Sequence, residues 1–296
     1  MTQVVLAVKH AFPDLQKRLE ESMFFFHKNG YKVLLKEHVV DGWPHLSISL
    51  QGADGATTDS SEHLFRYHIA GALEQYILFC LAEPYLDDIL AHHYFYFPRH
   101  ERQEIINFAY KIREREKDCS EEKAINAEIH EQINMYLSKH DYLNIHGLIV
   151  FRLGSWLSYL RKCVDEAVDE FLIEKEYQEF IKLLKYFVQL QEPRIYQAHV
   201  TLDSEGNVII LDHNHNLIDV GQGEDWEVLS NDQEDMLVSS LITVAPQRIV
   251  LHKQIYTHYP KATDTLTHVF EKRVTLCKEC KLCHDADTNM SLKGKL

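Results

Sequence analysis

The sequence predicts an α+β chain with a small N-terminal βαββ module, a central mostly helical region containing a long amphipathic helix, and a C-terminal α/β module with a β-hairpin. Three observations predict it. Short runs rich in Val, Ile and Leu, bounded by turn residues, lie near both ends of the chain. Between Ser61 and Val188 apolar residues recur at three- and four-residue steps, the helical period. After Gly154, neither Gly nor Pro occurs until Pro193, so a single helix, or a pair bent near Glu174, is expected from about Leu153 to Val188.

Taken in order, Val4 to Val8 reads as a strand, and Pro13 opens a helix through Leu15, Leu19, Met23 and Phe26 that stops at Asn29-Gly30. Tyr31 to Val40 and His45 to Leu50, separated by Asp41-Gly42-Trp43-Pro44, read as a hairpin. The Gly-containing stretch Gly52 to Ser61 reads as an exit linker, and Ser60 or Ser61 as the cap of the next helix. Further helices are expected through Leu64 to Leu81, Leu86 to Leu90, Glu101 to Arg115 and Ser120 to Leu137, with Ile145 to Phe151 leading into the long element. On that element Trp156, Leu160, Val164, Val168 and Phe171, followed by Phe180, Leu184 and Phe187, are expected to form one buried side.

Beyond Pro193 the pattern changes again. Tyr196 to Leu202, the turn Asp203 to Asn207, and Val208 to Leu211 read as a hairpin. A helix capped by Ser230 or Asn231, a strand from Arg248 to His252, a helix from Ala262 to Phe270 and a last strand from Val274 to Leu276 follow. The composition shifts divide the chain into 1–60, 61–192, 193–284 and a polar tail, 285–296, expected to fray.

The formal net charge is -14 over 296 residues. Phosphate contacts need clustered Lys and Arg, so nucleic acid is an unfavoured partner, even with Lys272, Arg273, Lys278 and Lys281 near the C-terminal end. The first residues offer a run of only five apolar side chains, Val4 to Val8, before Lys9, too few for a secretion signal or a membrane span, so the cytoplasm is the expected location. Six cysteines in a chain this long do not make a disulfide framework. No P-loop, G-x-G-x-x-G, G-x-S-x-G or H-E-x-x-H motif occurs, which leaves open whether the chain is an enzyme.

The most specific local signal is Cys277-Lys-Glu-Cys280-Lys-Leu-Cys283-His284. Two-residue gaps let successive thiolates turn onto one Zn²⁺ or an iron-sulfur centre, so Cys277, Cys280 and Cys283 are candidate metal ligands. Three thiolates leave a fourth position to be filled by His284, cramped beside Cys283, by a distant residue such as His258 or Cys163, or by a partner chain. Because the four-ligand spacing is incomplete, the plainer reading is a reduced, solvent-facing thiol cluster. Cys280 to His284 also matches the haem attachment pattern C-x-x-C-H, which the lack of an export signal argues against.

Asp212-His213-Asn214-His215 closes the C-terminal hairpin, where His213 and His215 would point the same way in an extended chain, with Asp219 and His199 able to join them. Polar residues bonded to the backbone of a turn are the ordinary reading. Ile195 to Gln247 holds ten acidic residues and no Lys or Arg, a field that suits a solvated loop and a helix start. Asp165, Glu166, Asp169 and Glu170 read as a solvated face, with no Glu-x-x-His pair to complete a di-iron site.

Ala167 to Val188 (AVDEFLIEKEYQEFIKLLKYFV) resembles the YtxC-like family of sporulation proteins from endospore-forming bacteria. Phe151 to Leu160 (FRLGSWLSYL), Phe95 to Ile106 (FYFPRHERQEII), Leu241 to His252 (LITVAPQRIVLH) and His268 to Cys277 (HVFEKRVTLC) extend the resemblance over most of the chain, most weakly before Ser61. The resemblance implies a role in spore formation and supplies no reaction, cofactor or catalytic residue. The expected function is that of a cytoplasmic sporulation-associated protein acting through an unidentified protein partner; the alternative is a metal-binding enzyme or redox protein using the three C-terminal cysteines.

Overall fold

A computed structural model describes residues 2–10, 12–40, 42–52, 58–116, 120–203, 206–218, 233–280 and 282–283. The expected caps Ser230 and Asn231, the tail 285–296, His284 and six of the ten acidic residues between Ile195 and Gln247, Asp219 among them, lie outside the described residues. The chain is α+β, as its sequence predicts, and divides into two compact units, Met1–Ile173 and Glu174–Leu296. No helix among the described residues is long and apolar enough to cross a membrane.

In the first unit, β1 (Thr2–Ala7), α1 (Phe12–Lys28), β2 (Lys32–Val40) and β3 (Trp43–Gln51) follow the predicted βαββ order. Gly30 and Gly42 adopt φ +79° at the end of α1 and in the hairpin turn, a conformation that glycine reaches without a Cβ clash. Six helices come next in the described chain: α2 (Asp59–Phe79), α3 (Ala82–His93), α4 (Arg99–Glu116), α5 (Ser120–Leu137), α6 (Ile145–Arg152) and α7 (Gly154–Leu190). Thr58, not Ser60 or Ser61, caps α2; Ser61 returns the hydrogen bond from the N3 position of a capping box.

A three-residue strand that the sequence reading passes over, β4 (Tyr142–Asn144), completes the sheet in the order β2-β3-β1-β4. It pairs parallel to β1, with Leu6 opposite Leu143, whereas β1 and β2 flank β3 antiparallel. Val4, Leu6, Leu46, Ile48 and Leu50 alternate onto one face and enter the same buried cluster as Leu15, Phe26, Phe65, Leu73, Ile129, Trp156 and Phe171. Arg66 fixes the end of α5 and the start of β4. Its guanidinium donates to the Leu137 and His140 carbonyls and to the carboxylates of Glu62 and Asp141.

His68 on α2 stacks on Phe25 at 5.0 Å and meets Ser22 Oγ at 3.4 Å, and burial lowers its pKa from an ordinary value of 6.5. A base whose folded pKa is depressed is protonated more readily when unfolded, so its contribution to stability is whole above the unfolded value and declines as pH falls below it. Urea titrations of a His68→Gln variant are therefore expected to show a shallower loss of stability between about pH 7 and pH 5 than the parent chain. Parallel curves would remove His68 as a source of acid sensitivity.

Helix α7 is one continuous element, with its residues up to Ile173 in the first unit and those from Glu174 in the second. Its first half buries the predicted side chains, with Trp156 1% and Phe171 4% exposed. In its second half Leu184 packs, partly buried, against the core of the second unit, but Phe180 is 52% and Phe187 55% exposed, and Ile181 and Val188 are buried instead. The helical step explains the correction. At about 100° per residue, Phe180 points about 180° and Phe187 about 160° away from Phe171, so no straight stripe can hold all three.

The second unit has a sheet of order β6-β5-β7-β8, built from β5 (Ile195–Leu202), β6 (Val208–Leu211), β7 (Pro246–Leu251) and β8 (Val274–Leu276). β5 and β6 form the predicted antiparallel hairpin, while β5, β7 and β8 run parallel. Parallel neighbours need crossovers, and the chain supplies α8 (Gln233–Val244) before β7, then α9 (Lys253–His258) and α10 (Pro260–Phe270) before β8. Pro260 opens α10 at its first position, where a missing N–H costs nothing. Ala198, Val200 and Leu202 face the core with Ile249, Leu251, Ile255, Leu241 and Leu266, which leaves Gln197 and His199 on the opposite side of β5.

Candidate metal centre

The pairing of β7 with β8 sets Leu251 opposite Leu276. The residues that leave the two strands, His252 and Cys277, are therefore neighbours at the carboxyl edge of a parallel sheet, where open α/β sheets place their ligands. The Cys277 N–H donates to the Leu251 carbonyl at 2.9 Å, which extends the ladder by one residue. The chain then turns so that Cys280 and Cys283 come back onto His252. Gln254 Nε2 donates to the Cys283 carbonyl at 2.6 Å, Tyr256 Oη donates to the Cys277 carbonyl at 3.2 Å, and Lys253 pairs with Glu279 at 3.2 Å. Helix α9 thus presents the histidine and also holds the cysteine loop.

One donor atom from each of His252, Cys277, Cys280 and Cys283 lies within 4.8 Å of the other three. His252 Nδ1 is 3.4 Å from both Cys280 Sγ and Cys283 Sγ, and Cys283 Sγ is 3.9 Å from Cys280 Sγ and from Cys277 Sγ. With Zn–S near 2.3 Å and Zn–N near 2.05 Å, a tetrahedron has S–S edges of about 3.8 Å and S–N edges of about 3.6 Å. The sulfurs are too far apart for a disulfide, whose S–S bond is about 2.05 Å. An iron-sulfur cluster interposes irons and sulfides between its thiolates and spreads them more widely, so this spacing suits a single ion.

The electrostatics agree with that donor set. His252, 1% exposed, has its pKa pushed down to about 4 by burial and by the neighbouring His199 and His215, so its ring is neutral and its lone pair is free to coordinate. Burial, reinforced by the adjacent Cys280 and Cys283, pushes the Cys277 thiol up to about 12. At Cys280 burial acts in the same direction, but hydrogen bonds from the Cys283 backbone and the neighbouring thiols outweigh it and leave its pKa below the ordinary value. Adjacent thiolates repel one another, and a divalent cation supplies the positive charge that makes such a group tenable.

The structure therefore brings together the three sequence-predicted cysteines and adds a histidine that the sequence reading did not name as a ligand. His258 instead engages the Gln254 carbonyl through Nδ1, and Cys163 belongs to the core of the first unit. A signal for His252 was present in the sequence. Arg248-Ile-Val-Leu-His252 and Arg273-Val-Thr-Leu-Cys277 share one pattern, and aligning them sets the histidine against the first cysteine. The Asp212 to His215 segment forms a turn in which the Asp212 carboxylate accepts from the N–H groups of Asn216 and Asn214, bonds that hold its pKa below the usual range. His213 is outside the donor group, while the His215 ring lies 5.1 Å from that of His199. Of the acidic face on α7, Asp165 accepts from Tyr94 Oη and Glu170 pairs with Arg115.

The YtxC-like family model matches residues 67–275, a span that includes His199 and His252 and stops before Cys277. The uncharacterised protein YtxC of Bacillus subtilis (strain 168) is 26% identical over 218 residues, covering 69% of this chain and 74% of that protein. A comparison with the solved structures finds no match to the chain. With more than half of its residues matched by the family model, the chain belongs to the YtxC-like family.

Proposed function

We propose that the C-terminal unit is a zinc module in which His252 Nδ1 and the thiolates of Cys277, Cys280 and Cys283 hold one Zn²⁺. The spacing of the four donors carries this reading, because four of their six separations, at 3.4 to 3.9 Å, match the edges of a single ZnS₃N tetrahedron and all six are within 4.8 Å. Four protein donors close the coordination sphere, and closed zinc sites stabilise a fold, whereas catalytic ones keep a position open for water. The zinc would fasten β8 and the loop after it to β7 and α9. On this reading the chain is a cytoplasmic, sporulation-associated protein that acts by contact with another protein and not by catalysis, in keeping with its family and its acidic charge.

Metal analysis of the full chain, purified without chelator under anaerobic conditions, tests the zinc. The expected result is one zinc per chain, a colourless protein, and a lower melting temperature after chelation. A folded, metal-free chain whose melting is indifferent to added zinc would discard the module. Deletion of the gene in an endospore-forming host should lower the yield of heat-resistant spores, and an unchanged yield would remove the sporulation role.

A further inference from the structure

The geometry points to His199 as the residue that orients His252 toward the metal, an inference that rests on the zinc reading above. His252 has one nitrogen toward the sulfurs and the other, Nε2, 3.1 Å from His199 Nδ1. If Nδ1 gives its lone pair to zinc, the proton of the neutral ring must be on Nε2, and the acceptor in reach is His199 Nδ1. His199 must then carry its own proton on Nε2. That nitrogen lies 2.8 Å from the side-chain amide of Gln197, which has to turn its oxygen toward the ring to accept.

One choice at the metal thus fixes two tautomers and an amide orientation. The chain runs from zinc through His252 and His199 to Gln197. The two β5 residues are in place because they alternate with Ala198 and Val200, which face the core. The stacking of the two imidazoles, 5.4 Å between centroids at 27°, restrains the His252 ring further. A zinc-bound imidazole that donates its other N–H is held at the right angle and is a better ligand, and loss of such a partner weakens metal affinity by about 10- to 100-fold.

Two measurements on the full chain test this. In the first, zinc is competed against a chromophoric chelator for wild type, His199→Ala and His199→Gln. His199→Ala is expected to bind zinc about 10- to 100-fold more weakly, and His199→Gln, which keeps an acceptor, to recover most of that loss. In the second, ¹⁵N–¹H correlation of the histidine rings in zinc-loaded wild type is expected to show both His252 and His199 protonated at Nε2. Undiminished affinity in His199→Ala, an equal loss in the glutamine variant, or a His199 proton on Nδ1 would each overturn the role of His199 while the zinc site stands. Wild-type protein that binds no zinc would bring down the zinc reading and this inference together.

Discussion

Replacing Cys283 by serine is expected to leave the chain without bound zinc and to lower the melting temperature of its C-terminal unit to that of chelator-treated wild type. Cys283 is the most demanding position to change, being 1% exposed with its sulfur against His252, Cys280 and Cys277. A serine hydroxyl stays protonated at neutral pH and does not replace a thiolate. A ligand present at a thousand times its dissociation constant stabilises the folded state by about 4 kcal/mol, and that linkage disappears in the variant. The N-terminal unit, with its own core, should melt unchanged, and Cys80→Ser should retain the metal. A Cys283→Ser chain that keeps one zinc and melts with wild type would show that the sulfur is not a ligand.

The second large effect separates two phenylalanines on one helix. Phe171 meets Phe97 and Phe108 edge-on at 5.7 and 6.4 Å, and Phe171→Ala should destabilise the chain by about 3 to 5 kcal/mol through the cavity it leaves. Phe180, 52% exposed, should tolerate alanine within about 0.5 kcal/mol. Denaturant titrations of the two variants measure both values. Similar losses would mean that the helix buries its two halves on one common stripe, contrary to the geometry described above.

That contrast shows how far the sequence could be read. The length of α7 was visible because an unbroken helical period leaves few alternatives, and the hairpins were visible because turn residues flank β-branched runs. The face of the second half was not, since Phe180, Leu183, Phe187 and Leu190 make an apolar pattern as regular as that of Ile181, Leu184 and Val188. Burial selects between them, and tertiary packing decides burial. β4 was missed for a different reason. Three residues cannot display an alternation, and its partner lies at the other end of the unit. The candidate metal site was half legible: the cysteines are local in sequence, but His252 joins them through parallel pairing of two strands separated by two helices.

The late arrival of β4 also bears on how the chain leaves the ribosome. Val5 to Ala7 pair with Tyr142 to Asn144, so one border of β1 has no mate until four helices have been synthesised after the hairpin. Backbone groups left open along such a border recruit strands from other molecules, and closing contacts between distant parts of a polypeptide form slowly. Nascent or truncated chains that end before Tyr142 should accordingly aggregate more readily than chains that reach α6, which makes residues 142–144 the point at which the N-terminal sheet stops being a hazard to its neighbours.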